Sequence, residues 1–323
     1  MAACIEALDQ QPDFVCNVAP GDPATYKTAM KTTNAAQWQA AVDLELDTLR
    51  NNQTWVAMSK PKTAKPLHSK WVFKTKLDAN GGIERFKARL VACGNEQEHG
   101  INYEDTFAPV LDLATARLVL ALSVLWKQPA RHGDIPAAYT RAALESKSDI
   151  YMYPPHGMRL TEEERLAGGE VPVLKLQRSL YGLKQAGRLW NCLLHEELIR
   201  LGYSRCVTDL CLYWKRSSEG TSIVGVYVDD LLATATSGQL IDNLFKKLKS
   251  LEVKDLGIVE KFLGMRVKFS RDSFTLDQET LIQEYLKTND MAKAAPVTTP
   301  ACLSTFPIKR SFCPQPTPSL SEH

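Results

Sequence analysis

The stretch that most limits what this chain can fold into is SIVGVYVDDLLATA, residues 222–235. Two uncharged runs rich in Val, Ile, Leu and Tyr flank adjacent aspartates, the composition of two buried strands joined by a tight turn. Asp229 and Asp230 then sit at the bend. Two readings stay open at this point. Aspartate is a common turn residue whose short side chain accepts hydrogen bonds from nearby backbone amides, and a pair of carboxylates is also half of a site for divalent cations.

Charge along the chain separates into blocks. Between Lys60 and Arg89 nine Lys and Arg residues face only Asp78 and Glu84, so this stretch is +7 in a chain of net charge +2 and the remainder is −5. A concentrated basic segment is the electrostatic footprint of phosphate binding, although a charge run also serves as a solvated face. The 44% hydrophobic and 24% charged composition over 323 residues supplies ample core for one large or two smaller domains. Eight cysteines without C-x-x-C spacing argue against a zinc or thioredoxin-like site and for a reduced intracellular protein. The start MAACIEALDQQPDF lacks a positive n-region, and LVLALSVLW at 118–126 is too short to span a bilayer, so no membrane partner is expected.

Residues 1–34 show no sustained periodicity and are expected to form a poorly ordered arm. Trp38, Val42, Leu46 and Leu49 then recur at helical steps. KWVFKTKLDANGGIERFKARLVACG reads as a basic β-hairpin turning at 78–82, with one face to pack and the other to meet phosphates. A helix over 113–127 is apolar almost all round and is expected to be buried. TEEERLAGG reads as a surface loop, and VLKLQRSLYGLKQAGRLWNCLLHEELIRLGY as strand, turn and helix with Gly202 just beyond the helix end. After the Asp-Asp hairpin come a helix with Leu240, Leu244, Leu248 and Leu251 on one side, a hairpin at FLGMRVKFSRDSFTLD, and a last helix near 279–287. From 292 the chain carries six prolines in 32 residues and is expected to be a disordered tail.

An Asp pair gains catalytic meaning when a third carboxylate joins it, since three carboxylates can hold two Mg²⁺ ions for an in-line phosphoryl transfer. Asp134 in RHGDIPAAY follows the apolar helix, opens a short β-prone run and precedes Tyr139. The ordered series SKWVFKTK, RFKARLVACG, YEDTFAPV, GDIPAAY, DIYMYPP, SLYGLKQAGRLW, VYVDD and FLGM resembles the reverse transcriptase of Ty1/copia-type LTR retrotransposons over residues 36–290.

That resemblance implies an α+β fold, the right-hand polymerase architecture of an antiparallel sheet backed by helices. The domain is expected over 35–291, with fingers at about 60–110, a palm at 111–256 and a primer grip with the start of a thumb at 257–291. Asp134, Asp229 and Asp230 match the metal-binding carboxylates, with two Mg²⁺ as cofactors and Mn²⁺ as a substitute. Tyr139 matches the aromatic residue that closes beneath the sugar of the incoming nucleotide. Gln185 resembles a nucleotide-contacting glutamine, and Lys74, Lys87 and Arg89 fall where cations meet the triphosphate. Lys246, Lys247, Lys249 and Lys254 are candidate contacts to template-primer phosphates. The implied partners are an RNA template, a DNA or RNA primer paired to it, and deoxynucleoside triphosphates.

The sequence departs from the family at Cys93, where a Lys is usual, at Gly187, where a Pro is usual, and in the turn YTRAALESKSD. It carries nothing resembling an integrase, a protease or a nucleocapsid knuckle and ends before the acidic motifs of a ribonuclease H, so it is expected to be a fragment of a longer polyprotein. The resemblance places such proteins in cytoplasmic virus-like particles. The activity implied is RNA-directed DNA polymerisation; the competing reading is a decayed copy that still binds nucleic acid.

Overall fold

Residues 21–34, expected to belong to an unordered arm, are packed. Thr25 caps the short helix α1 (Tyr26–Ala29), Ala29 is fully buried, and the Asp22 carboxylate accepts from both the backbone N–H and the hydroxyl of Thr75 at 3.0 and 2.6 Å. A short capped turn and a polar tie to a distant strand leave no apolar period in the sequence to signal them. The structure is a computed structural model that describes residues 21–77, 82–145, 149–291 and 293–294. Most of the expected arm, the 78–81 turn and nearly all of the proline-rich tail lie outside the described residues.

Helix α2 (Ala35–Asn51) buries Trp38, Val42, Leu46 and Leu49, the spacing read from the sequence. After β1 (Trp55–Ser59), it packs on a hairpin of β2 (Ser69–Leu77) and β3 (Ile83–Ala92). The period-2 pleat sorts this hairpin. Trp71, Phe73, Ala88 and Leu90 enter the core, and the cross-strand pairs Lys74–Lys87, Lys76–Arg85 and Val72–Arg89 occupy the other face.

The chain continues through α3 (Leu113–Leu125), β4 (Arg131–Asp134), β5 (Tyr151–Met152), α4 (Glu162–Gly168), β6 (Pro172–Leu176) and α5 (Ala186–Arg200). Then follow β7 (Ser204–Arg205), β8 (Leu212–Ser217), β9 (Gly220–Tyr227), β10 (Asp230–Ala235), α6 (Gly238–Lys247) and β11 (Lys254–Ile258). A small meander of β12 (Lys261–Phe262), β13 (Met265–Phe269) and β14 (Phe274–Asp277) leads to α7 (Glu279–Thr288). The fold is mixed α+β with antiparallel sheets, and none of the described helices is long and apolar enough to cross a membrane.

The six-stranded sheet runs β11-β4-β10-β9-β8-β7 and is covered on both faces. Val224, Val226, Leu231 and Ala233 pack against Trp190, Leu194 and Leu198 of α5 and against Ile241, Leu244 and Phe245 of α6. Leu212 and Leu232 point the other way, to Ala116, Val119 and Leu120 of α3 and to Phe262 and Val267 of the meander. Each such aliphatic or aromatic side chain contributes about 1.5–3 kcal/mol on burial.

Two sequence expectations are corrected. Helix α3 is not buried all round. One stripe meets the sheet, and Leu118 and Leu125 remain 49% and 73% exposed, since a helix lying on a sheet can bury only the side that touches it. The TEEERLAGG segment is helix α4, not a loop. Thr161 and Glu164 form a capping box, and Glu164 binds Arg50 and the Trp55 indole N–H, fixing the helix to the body of the fold.

Candidate active site

The β9–β10 hairpin turns through Val228 and Asp229. Val228 has a φ of 55°, a left-handed conformation unusual for a β-branched residue and worth about 1–3 kcal/mol of strain. The surroundings hold it there: Tyr227 pairs with Asp230, and the buried indole N–H of Trp190 donates to the Val228 carbonyl at 2.7 Å. A second tie joins the turn to the next strand, where the Ile135 amide donates to the Asp229 carbonyl at 2.9 Å.

These constraints set Asp134 and Asp230 opposite one another, with Asp229 in the adjoining turn. Asp134, the last residue of β4, lies directly across from Asp230, the first of β10. Residues opposite one another on antiparallel strands share a face with Cβ atoms about 4.5–5.5 Å apart, and like charges there repel. Asp229 registers the crowding. Its carboxyl is pushed above the usual range by burial first and then by Asp230 and Asp134, with its own backbone amide and Arg89 pulling the other way.

The neighbours are polar. His132 Nε2 lies 2.8 Å from Asp230 Oδ1, and its ring meets Phe262 edge-on. Lys254, the first residue of β11, is the cross-strand partner of Asp134 on its other side. Three carboxylates offer hard oxygen donors of the kind that suit Mg²⁺ and Mn²⁺, and a divalent cation would relieve their repulsion. Among the described residues no three His, Cys, Asp or Glu side chains converge closely enough to hold a metal ion, and Asp230 is engaged by His132.

The opposite charge gathers on the β2–β3 hairpin. Lys70, Lys74, Lys76, Arg85, Lys87 and Arg89 share the face that turns away from the core. The Lys87 ammonium is pushed below its usual range by burial and then by Arg89, Arg85 and Lys76. Arg89 lies 5.0 Å over the Tyr181 ring, and Tyr181 meets Tyr139 edge-on at 5.4 Å. Burial and then Asp229 raise the Tyr139 hydroxyl, so the aromatic pair lies between the cationic face and the carboxylates.

The family profile described as "Reverse transcriptase (RNA-dependent DNA polymerase)" matches residues 52–303. The chain belongs to this reverse transcriptase family. It is 34% identical over 297 residues to the retrovirus-related Pol polyprotein from transposon TNT 1-94 of Nicotiana tabacum, covering 91% of this chain and 22% of that polyprotein. The corresponding polyprotein from transposon RE1 of Arabidopsis thaliana is 32% identical over 91% of this chain and 20% of its own length. The Ty1-H Gag-Pol polyprotein of Saccharomyces cerevisiae is 24% identical over 64% of this chain and 11% of its own length. The chain thus spans about a fifth of the length of these two plant Pol polyproteins, and its relatives are Ty1/copia-type retrotransposon proteins.

Within this reverse transcriptase domain the expected residues separate into two groups. Asp134, Asp229, Asp230, Tyr139 and Arg89 form one electrostatically linked group, with Lys74 and Lys87 on the hairpin face that carries Arg89. Gln185 does not reach it. Its side chain is 2% exposed and its amide is used inside the protein, donating to the Asn102 carbonyl at 2.9 Å and accepting from Gln97 at 3.0 Å. Here both ends of the Gln185 amide are bonded within the protein, as buried polar groups are. Lys246, Lys247 and Lys249 are exposed at the end of α6, which covers the face opposite to Asp134 and Asp230, so only Lys254 of that set adjoins the carboxylates. The sequence reading passed over Tyr181, Trp190 and His132. Tyr181 and Trp190 stand inside the motif SLYGLKQAGRLW, where either reads equally well as a core aromatic.

Proposed function

We propose that this domain is the RNA-directed DNA polymerase of a copia-type retrotransposon Pol polyprotein, adding deoxynucleotides to a primer 3′-hydroxyl on an RNA template. The observation that carries the reading is the cross-strand pairing of Asp134 with Asp230, with Asp229 in the adjoining turn and within reach of the charge of Arg89 on the cationic hairpin face. In this reading the six-stranded sheet with α5 and α6 is the palm, the β2–β3 hairpin belongs to the fingers, and the β12–β14 meander with α7 begins the primer grip and thumb.

In this reading Asp134, Asp229 and Asp230 would hold two Mg²⁺ ions, or Mn²⁺ in their place, once their carboxylates draw closer than they lie here and Asp230 leaves His132. When bound, these supply activation of the attacking 3′-oxygen and charge stabilisation at the leaving pyrophosphate. The chain's own groups do the rest. Arg89, Lys74 and Lys87 offset the triphosphate charge with charge-assisted hydrogen bonds. Tyr139, edge-on to Tyr181, forms a floor beneath the sugar that excludes a 2′-hydroxyl by volume. Lys254, beside Asp134, meets the backbone phosphates of the primer end. Sequence is supplied by base pairing, so the protein binds backbone and shape, and its affinity for duplex falls as salt rises.

The test is extension of a DNA primer on an RNA template with Mg²⁺ or Mn²⁺, comparing the chain with Asp229→Asn at matched folding. Metal-dependent extension that the substitution abolishes is expected. Folded protein that binds duplex and extends nothing, with or without the substitution, would leave a nucleic-acid-binding remnant instead.

A further inference from the structure

The loop that carries Tyr181 is held from both sides. The Ala92 amide, at the end of β3, donates to the Tyr181 carbonyl at 2.8 Å. Gly182 follows with a φ of 89°, and a Cβ there would lie 2.2 Å from the Ala92 carbonyl oxygen, so only glycine lets the loop press against the hairpin. Behind the loop, the buried Gln97 and Gln185 amides bond each other, and Gln97 also accepts from the Lys184 amide. The Tyr181 backbone therefore has one place to be, and its ring lies between Arg89 and Tyr139.

Arg89 is differently placed. It is exposed on β3, and among the described residues it donates no hydrogen bond and joins no ion pair; its fixed contact is the face of the Tyr181 ring. An exposed arginine samples many rotamers, and an aromatic face favours those that stack on it. Burial pushes the Tyr181 hydroxyl up to about 12, so the ring stays a neutral phenol at working pH and the attraction belongs to its face.

We infer that Tyr181 is a positioning residue: its ring stacks on Arg89 and holds the guanidinium within reach of Asp229, as a prealigned fork for the triphosphate of the incoming nucleotide. The inference rests on the polymerase reading for the identity of the ligand, while the stacked pair itself stands on the geometry. A guanidinium already aligned loses less freedom when it meets an anion, which lowers the dissociation constant without touching the chemical step.

The experiment uses the full 323-residue chain and two readouts: calorimetric binding of dTTP, and kcat and KM for dTTP in extension of oligo(dT) on poly(rA). Tyr181→Leu is expected to weaken dTTP binding and raise KM by about three- to tenfold, the worth of one cation–π contact, with kcat within about twofold. Tyr181→Phe keeps the ring and stays within about twofold of the parent. Arg89→Ala weakens binding at least as much as Tyr181→Leu, and adding Tyr181→Leu to it has no further effect, because the tyrosine acts through the arginine. Arg89→Lys, a surface change that keeps the charge and loses the planar stack, also weakens binding and keeps the question open to test if Tyr181→Leu does not fold.

The inference is overturned if the tyrosine substitution costs the same factor with and without Arg89, if Tyr181→Phe is as harmful as Tyr181→Leu, if Arg89→Lys binds as the parent does, or if the parent chain does not bind dTTP. Failure of the polymerase reading looks different: dTTP binding follows the expected pattern and no primer is extended.

Discussion

The carboxylate end of the six-stranded sheet and the outer face of the β2–β3 hairpin are built on the same physical fault with opposite signs. At the first, Asp134, Asp229 and Asp230 crowd one another and the Asp229 carboxyl is pushed up. At the second, Lys76, Arg85 and Arg89 crowd Lys87, whose ammonium is pushed down. Burial is the larger cause in both cases, and the neighbours add to it. Each region taken alone lowers stability, and each is what a ligand of the other sign would relieve: cations at the carboxylates, phosphates at the hairpin. Local instability in this protein therefore coincides with the residues proposed to bind charge.

The strongest way to break that comparison is Asp229→Asn. Loss of primer extension by at least about a thousandfold is expected if Asp229 holds metal as proposed, since such a carboxylate serves the transition state. The melting temperature at pH 7 is expected to stay level or rise, since a like charge has gone; a marked fall in stability would assign Asp229 a structural role. Next in size is the response to ligand. Mn²⁺ at about a hundred times its dissociation constant is expected to stabilise the parent by about 2.7 kcal/mol and to leave the Asp229→Asn chain nearly unchanged, as followed by thermal melting. Equal stabilisation of both would place the cation elsewhere.

Trp190→Phe isolates the turn from the charges. It removes the donor to the Val228 carbonyl, and a buried acceptor left unpaired costs about 1–3 kcal/mol in denaturant unfolding. No loss of stability would show that the turn is held by strand pairing alone.

The smallest effects sharpen the comparison through pH. A carboxyl raised above its ordinary 3.8 binds more protons folded than unfolded, so its contribution falls as pH climbs through that window and its penalty is full above the folded value. The stability advantage of Asp229→Asn at pH 7 should therefore shrink on acidification toward pH 4. Lys87 has the reverse sign. Its ammonium is lowered below 10.5, the unfolded chain binds more protons in the window beneath that value, and the penalty is full below the folded value and fades as pH rises. Lys87→Met should stabilise at pH 7 and lose that advantage toward pH 10.5. Parallel melting curves across pH for either variant and the parent would contradict the assignment.

What was legible in the sequence was whatever repeats with a period. The i+3 and i+4 apolar steps of α2, α5 and α6, the alternation of β2 and β3 and the uncharged apolar run of β9 predicted the elements and most of their buried faces. The carboxylates were legible because VYVDD and GDIPAAY sit where the family resemblance expects them. Roles that depend on long-range direction were not. Nothing in SLYGLKQ shows that Gln185 turns inward to Asn102 while Tyr181 turns outward to Arg89, because that is fixed by residues far away in the chain. The exposed stripe of α3 was missed for a related reason: composition tells how apolar a helix is, and only packing tells which side faces what.

The strand order of the large sheet carries a consequence for how the protein is made. β4 lies between β10 and β11, both of which are synthesised later, so Asp134 waits for about a hundred further residues before either neighbour exists. At ribosomal rates of about 5–20 residues per second that is a delay of roughly 5–20 s. Pairing across such a sequence separation is slow to form and has its entropy to lose before any contact rewards it. The carboxylates cannot meet in a partly made chain, so the site comes into being together with the centre of the sheet that holds it.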